Sequence, residues 1–155
     1  MKVHQLMTRD VARVRAGESL ARAVSLMQER DCGCVAVTDE ASRLVGILTD
    51  RDACLVALRM DRPLSQLSLE HAMRTEVFTC GPEDTIEAAE RAMGQHQVRR
   101  LPVVDAAGCL CGILSLGDIA REARREEGWI GTPVPARDVG RTLGQIGRPH
   151  LIPGF

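Results

Sequence analysis

The stretch LVGILTDRDA at 44–53 returns, lightly changed, as LCGILSLGDI at 110–119. Both carry Gly-Ile-Leu, then a hydroxyl residue, then an aspartate three positions on. The offset is 66 residues, and it aligns the surrounding chain without a gap: Met7 with Met73, Val11 with Val77, Ala23 with Ala89, Met27 with Met93, Val37 with Val103 and Asp39 with Asp105. One chance motif would not keep register over so long a span. The chain is an internal duplication, and its fold must be a repeated one.

Each copy reads as β-α-β-β-α. In the second, VFTC at 77–80 is a short β-branched and apolar run closed by the turn pair Gly81-Pro82. Asp84 with Glu87 three residues on has the form of a helix-capping box. Ile86, Ala89, Ala92 and Met93 then fall on one helical face. Strands are predicted at 100–105 and 109–114, and a charged helix at 116–127. The first copy gives strand 11–14, helix 19–30, strands 34–38 and 43–48, and helix 50–59. The fold class is α/β of the α+β kind. One such unit leaves an apolar face open, so two are expected to pack as a pseudo-two-fold pair. The boundaries read 1–60 for the first unit, 61–70 for a connector broken by Pro63, and 71–127 for the second unit. A Gly/Pro-rich tail occupies 128–155.

Composition narrows the function. The net charge of −1 lacks the basic excess of a nucleic-acid-binding domain, so no nucleic-acid partner is expected. No apolar run approaches the ~20 residues of a membrane span. The opening MKVHQLMTRD has no apolar export core, so the expected location is cytoplasmic. Aromatic residues make up only 2% of the chain, and a flat ligand would therefore lie between aliphatic side chains.

The β-α-β-β-α unit, the tandem arrangement and the paired G-I-L-[ST]-x-x-D ending resemble the cystathionine-β-synthase (CBS) domain family, over about residues 3–125. GILTDRD and HQVRRLPVVD are similar to stand-alone bacterial pairs of the hypoxic-response type. The resemblance implies a Bateman module: a regulatory, non-enzymatic pair of units, commonly binding AMP, ADP, ATP or S-adenosylmethionine in clefts. It also implies a homodimer and an effector protein of unknown identity.

The residues themselves support an anion site. Ser115 ends a strand and leads into a helix N-terminus, where unpaired N–H groups and the helix dipole favour anionic oxygens. Asp118 in the first turn can accept hydrogen bonds from two ribose hydroxyls, and an acid there also suits the dipole without any ligand. The copies differ at one informative place: Arg99 and Arg100 precede Leu101, where the first copy has Gly33 and Cys34. Guanidinium forks match phosphate oxygens. The RRL stretch and the S-L-x-D-I ending resemble the regulatory γ subunit of AMP-activated protein kinase. The expected ligand site is therefore Arg99, Arg100, Ser115 and Asp118, walled by Val77, Leu101, Pro102 and Ile113. A weaker site in the first copy would use Thr49 and Asp52, walled by Val11, Val35 and Ala36. No cofactor is expected beyond a regulatory adenine nucleotide, and no metal.

Two rival readings use other residues. In one, the clefts are vestigial and the chain is a stress-related interaction protein. In the other, the six cysteines make a thiol redox sensor. Against the latter, Cys32, Cys80 and Cys111 align with Val98, Val14 and Val45, as small buried hydrophobes would. Cys34 and Cys109 align with arginines and are expected to be more exposed. The four histidines are scattered and no catalytic neighbourhood is recognisable. The tail, with Trp129, Ile130, Val134, Leu143, Ile146, Leu151, Ile152 and Phe155, is too apolar for pure solubility. It reads as a mobile terminus or as a strap across its own domain, a dimer mate or another protein.

Overall fold

Hydroxyl residues start the main helices, each accepting the backbone N–H three positions on, which satisfies one otherwise orphaned donor. Ser19 starts α2 (Leu20–Glu29), Thr49 starts α3 (Asp50–Met60), and Thr85 starts α4 (Ile86–His96). Thr85 therefore takes the place predicted for Asp84, whose carboxylate instead accepts the Gly81 N–H at 2.7 Å and tightens the preceding turn. The computed structural model describes residues 1–125 and 135–147. Its other elements are α1 (Val3–Leu6), β1 (Arg13–Arg15), β2 (Cys34–Thr38), β3 (Leu44–Thr49), β4 (Arg100–Val104), β5 (Leu110–Ser115), α5 (Leu116–Arg125) and α6 (Ala136–Ile146). Short 3-10 turns cover Leu64–Gln66 and Leu69–His71, the second starting from Ser68. The order is that of mixed α+β units, each with a small sheet.

The described chain forms two compact units. One contains 9–77 and 104–111; the other contains 1–8, 78–103 and the described residues from Gly112 on. Each copy thus lends its leading segment to the unit built on the other copy's body. Arg74 bridges to Ile47 in one unit, and Thr8 bridges to Ile113 in the other. These pairs are the same pair under the 66-residue offset.

In the unit of the first copy, β1 pairs parallel with β2, and β2 pairs antiparallel with β3. Val14, Leu20, Ala23, Met27, Val35, Val37, Leu48, Ala53, Val56, Leu67 and Leu69 make its core. Strand β2 is buried at every position, so Cys34 is buried with it, against the expectation of exposure. Cys32 and Cys111, expected as buried hydrophobes, are only partly so; Cys80 is fully buried and Cys109 intermediate.

The second copy lacks a third strand: 77–80 is not a strand, and its sheet is the β4–β5 pair alone. One parallel bridge survives, Cys80 with Val103, the counterpart of Val14 with Val37. Prolines explain the loss. In the first copy the Ala36 N–H donates to Ala12 O at 3.0 Å and the Ala16 N–H to Thr38 O at 2.9 Å. Their counterparts are Pro102 and Pro82, which have no N–H to give. The Cys80 N–H to Pro102 O bond, 3.1 Å, remains.

The predicted helix 116–127 is described to Arg125, and its last two residues lie outside the described residues. The tail contributes α6, which packs on α4 and α5 of its own unit, so this part is a strap across its own domain. Trp129, Ile130, Val134, Leu151, Ile152 and Phe155 lie outside the described residues.

Candidate functional site

Both predicted sites are built on the same strand-to-helix junction. In the second copy the Leu116 N–H donates to Arg99 O at 3.0 Å, tying the start of α5 to the entry of β4. In the first, the Asp50 N–H donates to Gly33 O at 3.2 Å, tying α3 to the entry of β2. The backbone at Arg99, and with it the adjoining Arg100, is therefore held beside the N-terminus of α5. Arg99 is exposed and Arg100 half-buried, and neither guanidinium has an ion-pair partner among the described residues.

The Ser-x-x-Asp motif forms a reciprocal cap. The Asp118 N–H donates to Ser115 Oγ at 3.1 Å, and the Ser115 N–H donates to Asp118 Oδ2 at 2.8 Å. Ser115 Oγ–H also donates to Asp118 Oδ2, at 2.6 Å. The second oxygen, Oδ1, accepts from Arg121 Nη2. Asp118 is 8% exposed. A buried carboxylate needs such partners, and the capping role is real independently of any ligand.

The first copy repeats the arrangement. Thr49 Oγ1 accepts the Asp52 N–H at 3.1 Å and donates to Asp52 Oδ2 at 2.7 Å. Here Oδ1 accepts from Arg74 Nη2 at 2.9 Å. Burial pushes the Asp52 carboxyl up, but hydrogen bonds from Arg74 and Thr49 and the Arg74 charge outweigh it and hold it below the usual carboxylate range.

The arginines on the two aspartates do not correspond. Arg121 is one helical turn beyond Asp118 and so was legible as an i,i+3 pair. Arg74 comes from the segment that the second copy lends to the first copy's unit, and no local pattern announces it.

The predicted walls divide. Val35, Ala36, Leu101 and Pro102 are buried in the strands, Val35 and Leu101 almost completely, and belong to the cores. Ile113 and Val11 are half-buried. Val77 belongs to the unit of the first copy, whereas Ser115 and Asp118 belong to the other. A small cavity of about 100 Å³ touches Val11, together with Arg9, Asp10, Arg13 and Leu110. A larger one of about 250 Å³, lined by Arg13, Val14, Arg15, Glu18, Thr38, Asp39 and Ser42, contains none of the predicted site residues.

Among the described residues no group of three or more His, Cys, Asp or Glu side chains could hold a metal ion, and no described helix is long and apolar enough to cross a membrane.

Comparison with known proteins gives the family and the fold. The CBS domain profile matches residues 3–58 and 68–125. The CBS domain-containing protein YhcV of Bacillus subtilis is 38% identical over 118 residues, covering 76% of this chain and 82% of its own. A homoserine O-acetyltransferase of Methanococcoides burtonii is 37% identical over 77% of this chain, which spans only 23% of that enzyme. Among solved structures, Hypoxic Response Protein I with two coordinated zinc ions is similar at a TM-score of 0.70, with 30% identity and coverage of 78% of this chain and 98% of that one. CBSX2 in complex with AMP is similar at a TM-score of 0.71, with 28% identity and coverage of 80% and 96%.

Proposed function

Because this chain belongs to the CBS domain family, whose pairs are generally regulatory and non-catalytic, we propose that it is a regulatory module that senses an adenine nucleotide through the second copy's junction. The observation that carries this reading is the pair of arginines without ion-pair partners among the described residues, Arg99 and Arg100, whose backbone the Leu116-to-Arg99 bond holds beside the N-terminus of α5. Phosphate oxygens would take the guanidinium forks and the first-turn N–H groups. Arg121, whose side chain is 72% exposed, would swing from Asp118 toward the phosphate. That frees Asp118 Oδ1 to accept from the ribose hydroxyls, while Ser115 keeps Oδ2 in place. The first copy lacks the arginine pair, and its Asp52 is tied to a distant segment, so it would bind more weakly. Similarity to CBSX2, crystallised with AMP, makes AMP the first ligand to test.

Occupancy would pass to an effector protein by favouring one arrangement of the chain, most simply within a cytoplasmic homodimer, and only differential binding to the arrangements can do this. Thermal unfolding with AMP, ADP, ATP and S-adenosylmethionine tests the reading. At ligand 100-fold above its dissociation constant the stabilisation is about 2.7 kcal/mol, a rise in Tm of a few degrees. No rise with any of them at millimolar concentration overturns it.

One observation favours the second reading, an interaction protein with vestigial clefts. Asp118 and Asp52 already have partners on both carboxylate oxygens, from residues of their own unit. Under that reading, partner binding survives the loss of Arg100 and Asp118.

A further inference from the structure

Glu90 of α4 is 5% exposed, and its Oε1 is buried without a hydrogen-bond partner among the described residues. A buried carboxylate that is left half-satisfied calls for an explanation, since an ionised one is costly to desolvate. The duplication sharpens the point. At the matching position the first copy has Val24, the residue a helix interface would ordinarily carry.

What covers Glu90 is α6. Thr142, itself 4% exposed, places its hydroxyl where it acts on the Glu90 carboxylate. One turn along, Gln145 fills the space where a side chain on Gly94 would begin, and a Cβ there would overlap its amide. Gln97 Nε2 donates to Gln145 O at 3.4 Å. The first copy has Gln28 in place of Gly94, so this seat exists only on α4.

The helix in the seat is weak by itself. It has 11 residues, with Gly140 and Gly144 in its interior. Among the described residues a Cβ at either glycine would meet nothing within 4 Å, so packing against them does not require glycine. Interior glycines disfavour a helix, and an isolated helix this short is marginal in water. Of its described residues only Thr142 is buried, and Leu143 is 56% exposed. The helix therefore depends on its seat, and the seat is centred on an acid.

We propose that α6 is a proton-controlled latch, docked on α4 while Glu90 is protonated and released when Glu90 ionises. The charged groups acting on Glu90 are Asp138 and Arg141 from α6 and Glu87 from α4. On α5, which packs on both helices, Arg121 is committed to Asp118. Burial first, then the negative charges of Asp138 and Glu87, push the docked carboxyl above its ordinary range, against the opposing influence of the Thr142 hydroxyl and Arg141. Undocked, Glu90 regains water and its ordinary value of about 4.3. The docked state thus binds the proton more tightly. Docking is strongest below the ordinary value and weakens as pH rises toward the docked one, by at most about tenfold per pH unit for one proton. Because α6 also lies on α5, which carries Asp118, release alters the support of that helix. The latch itself does not depend on nucleotide binding.

Amide hydrogen exchange on the full chain between pH 5 and 8, corrected for intrinsic rates, reads the latch at 136–146. In the wild type, protection there should fall as pH rises while protection within the β2–β3 ladder holds. Glu90→Gln should keep the low-pH protection at every pH. Glu90→Val, which copies Val24, should also remove the pH dependence and serves if the glutamine variant folds poorly. Gly94→Ala should lower α6 protection at all pH values, and Gly140→Ala with Gly144→Ala should raise it, by roughly fivefold for each glycine. Equal pH dependence in the wild type and both Glu90 variants would overturn the proposal. So would protection of α6 that Gly94→Ala leaves unchanged.

Discussion

Arg74 Nη2 donates to Asp52 Oδ1 at 2.9 Å across 22 residues of sequence, whereas the matching aspartate, Asp118, takes its arginine from Arg121 in its own helix. The two copies arrived at the same carboxylate–guanidinium contact by different routes. The Arg74 side chain is 67% exposed and that of Asp52 only 12%. Such a pair is worth about 0.5–1 kcal/mol. Arg74→Ala should cost that much in urea unfolding near pH 7. The Asp52 carboxyl lies below its ordinary range in the folded chain, so its stabilisation is present above the unfolded value of about 3.9 and is lost as pH falls through the folded value. Removing Arg74 should therefore narrow the stability difference between pH 6 and pH 3. An unchanged difference would remove the pair from the stability account.

Gly46 and Gly112 are the glycines of the repeated Gly-Ile-Leu, and each faces a methionine lent by the other copy. A Cβ on Gly46 would lie 3.0 Å from Met73 Sδ and 3.1 Å from Arg74 O. A Cβ on Gly112 would overlap Met7 Sδ. At Gly112 the obstacle is a flexible thioether; at Gly46 it includes backbone held by the Ile47–Arg74 bridge. Both alanine substitutions should destabilise by about 1–3 kcal/mol, and combining Gly112→Ala with Met7→Ala should recover part of the loss. Denaturant midpoints at constant slope read this directly.

The two prolines that cut the second copy's sheet make a separate prediction. Pro102→Ala restores an N–H at the position where Ala36 donates to Ala12 O. The new amide should bond to Phe78 O and exchange slowly in an NMR exchange experiment. Exchange as fast as that of an exposed loop amide would show that the segment at 77–80 has some other reason for not joining the sheet.

The thiols should react in the order of their surroundings. Cys54 is exposed on α3, Cys34 and Cys80 are buried, and burial with the nearby Asp105 charge pushes the Cys111 thiol up. A maleimide at neutral pH should label Cys54 first, Cys111 well behind it despite its partial exposure, and Cys34 and Cys80 last. Rapid labelling of Cys111 would return weight to the thiol reading.

How much of this was legible in the chain can be judged residue by residue. The duplication, the strand at Cys34–Thr38 and the positions of the helices follow from local spacing, because periodicity acts over a single turn. The capping box was placed at Asp84 because Asp and Thr are both good caps and sequence does not rank neighbours; Thr85 sits one residue closer to the apolar stripe. The missing strand was hidden because its cause is the coincidence of Pro82 and Pro102, remote in sequence and each harmless alone. Val35 and Leu101 were given to ligand walls because a buried strand looks the same whether its neighbour is a ligand or the core. Arg74 at Asp52 and α6 on α4 are contacts between remote segments, and nothing in their own neighbourhoods points to a partner.

The most direct test of the sensor reading is calorimetric titration of the intact chain with AMP, in the wild type, Arg100→Ala, Asp118→Asn and Asp52→Asn. The account predicts saturable binding in the wild type, weakened at least tenfold by Arg100→Ala and by Asp118→Asn and left nearly unchanged by Asp52→Asn. Binding that withstands both second-copy substitutions, or none at millimolar AMP, would contradict it.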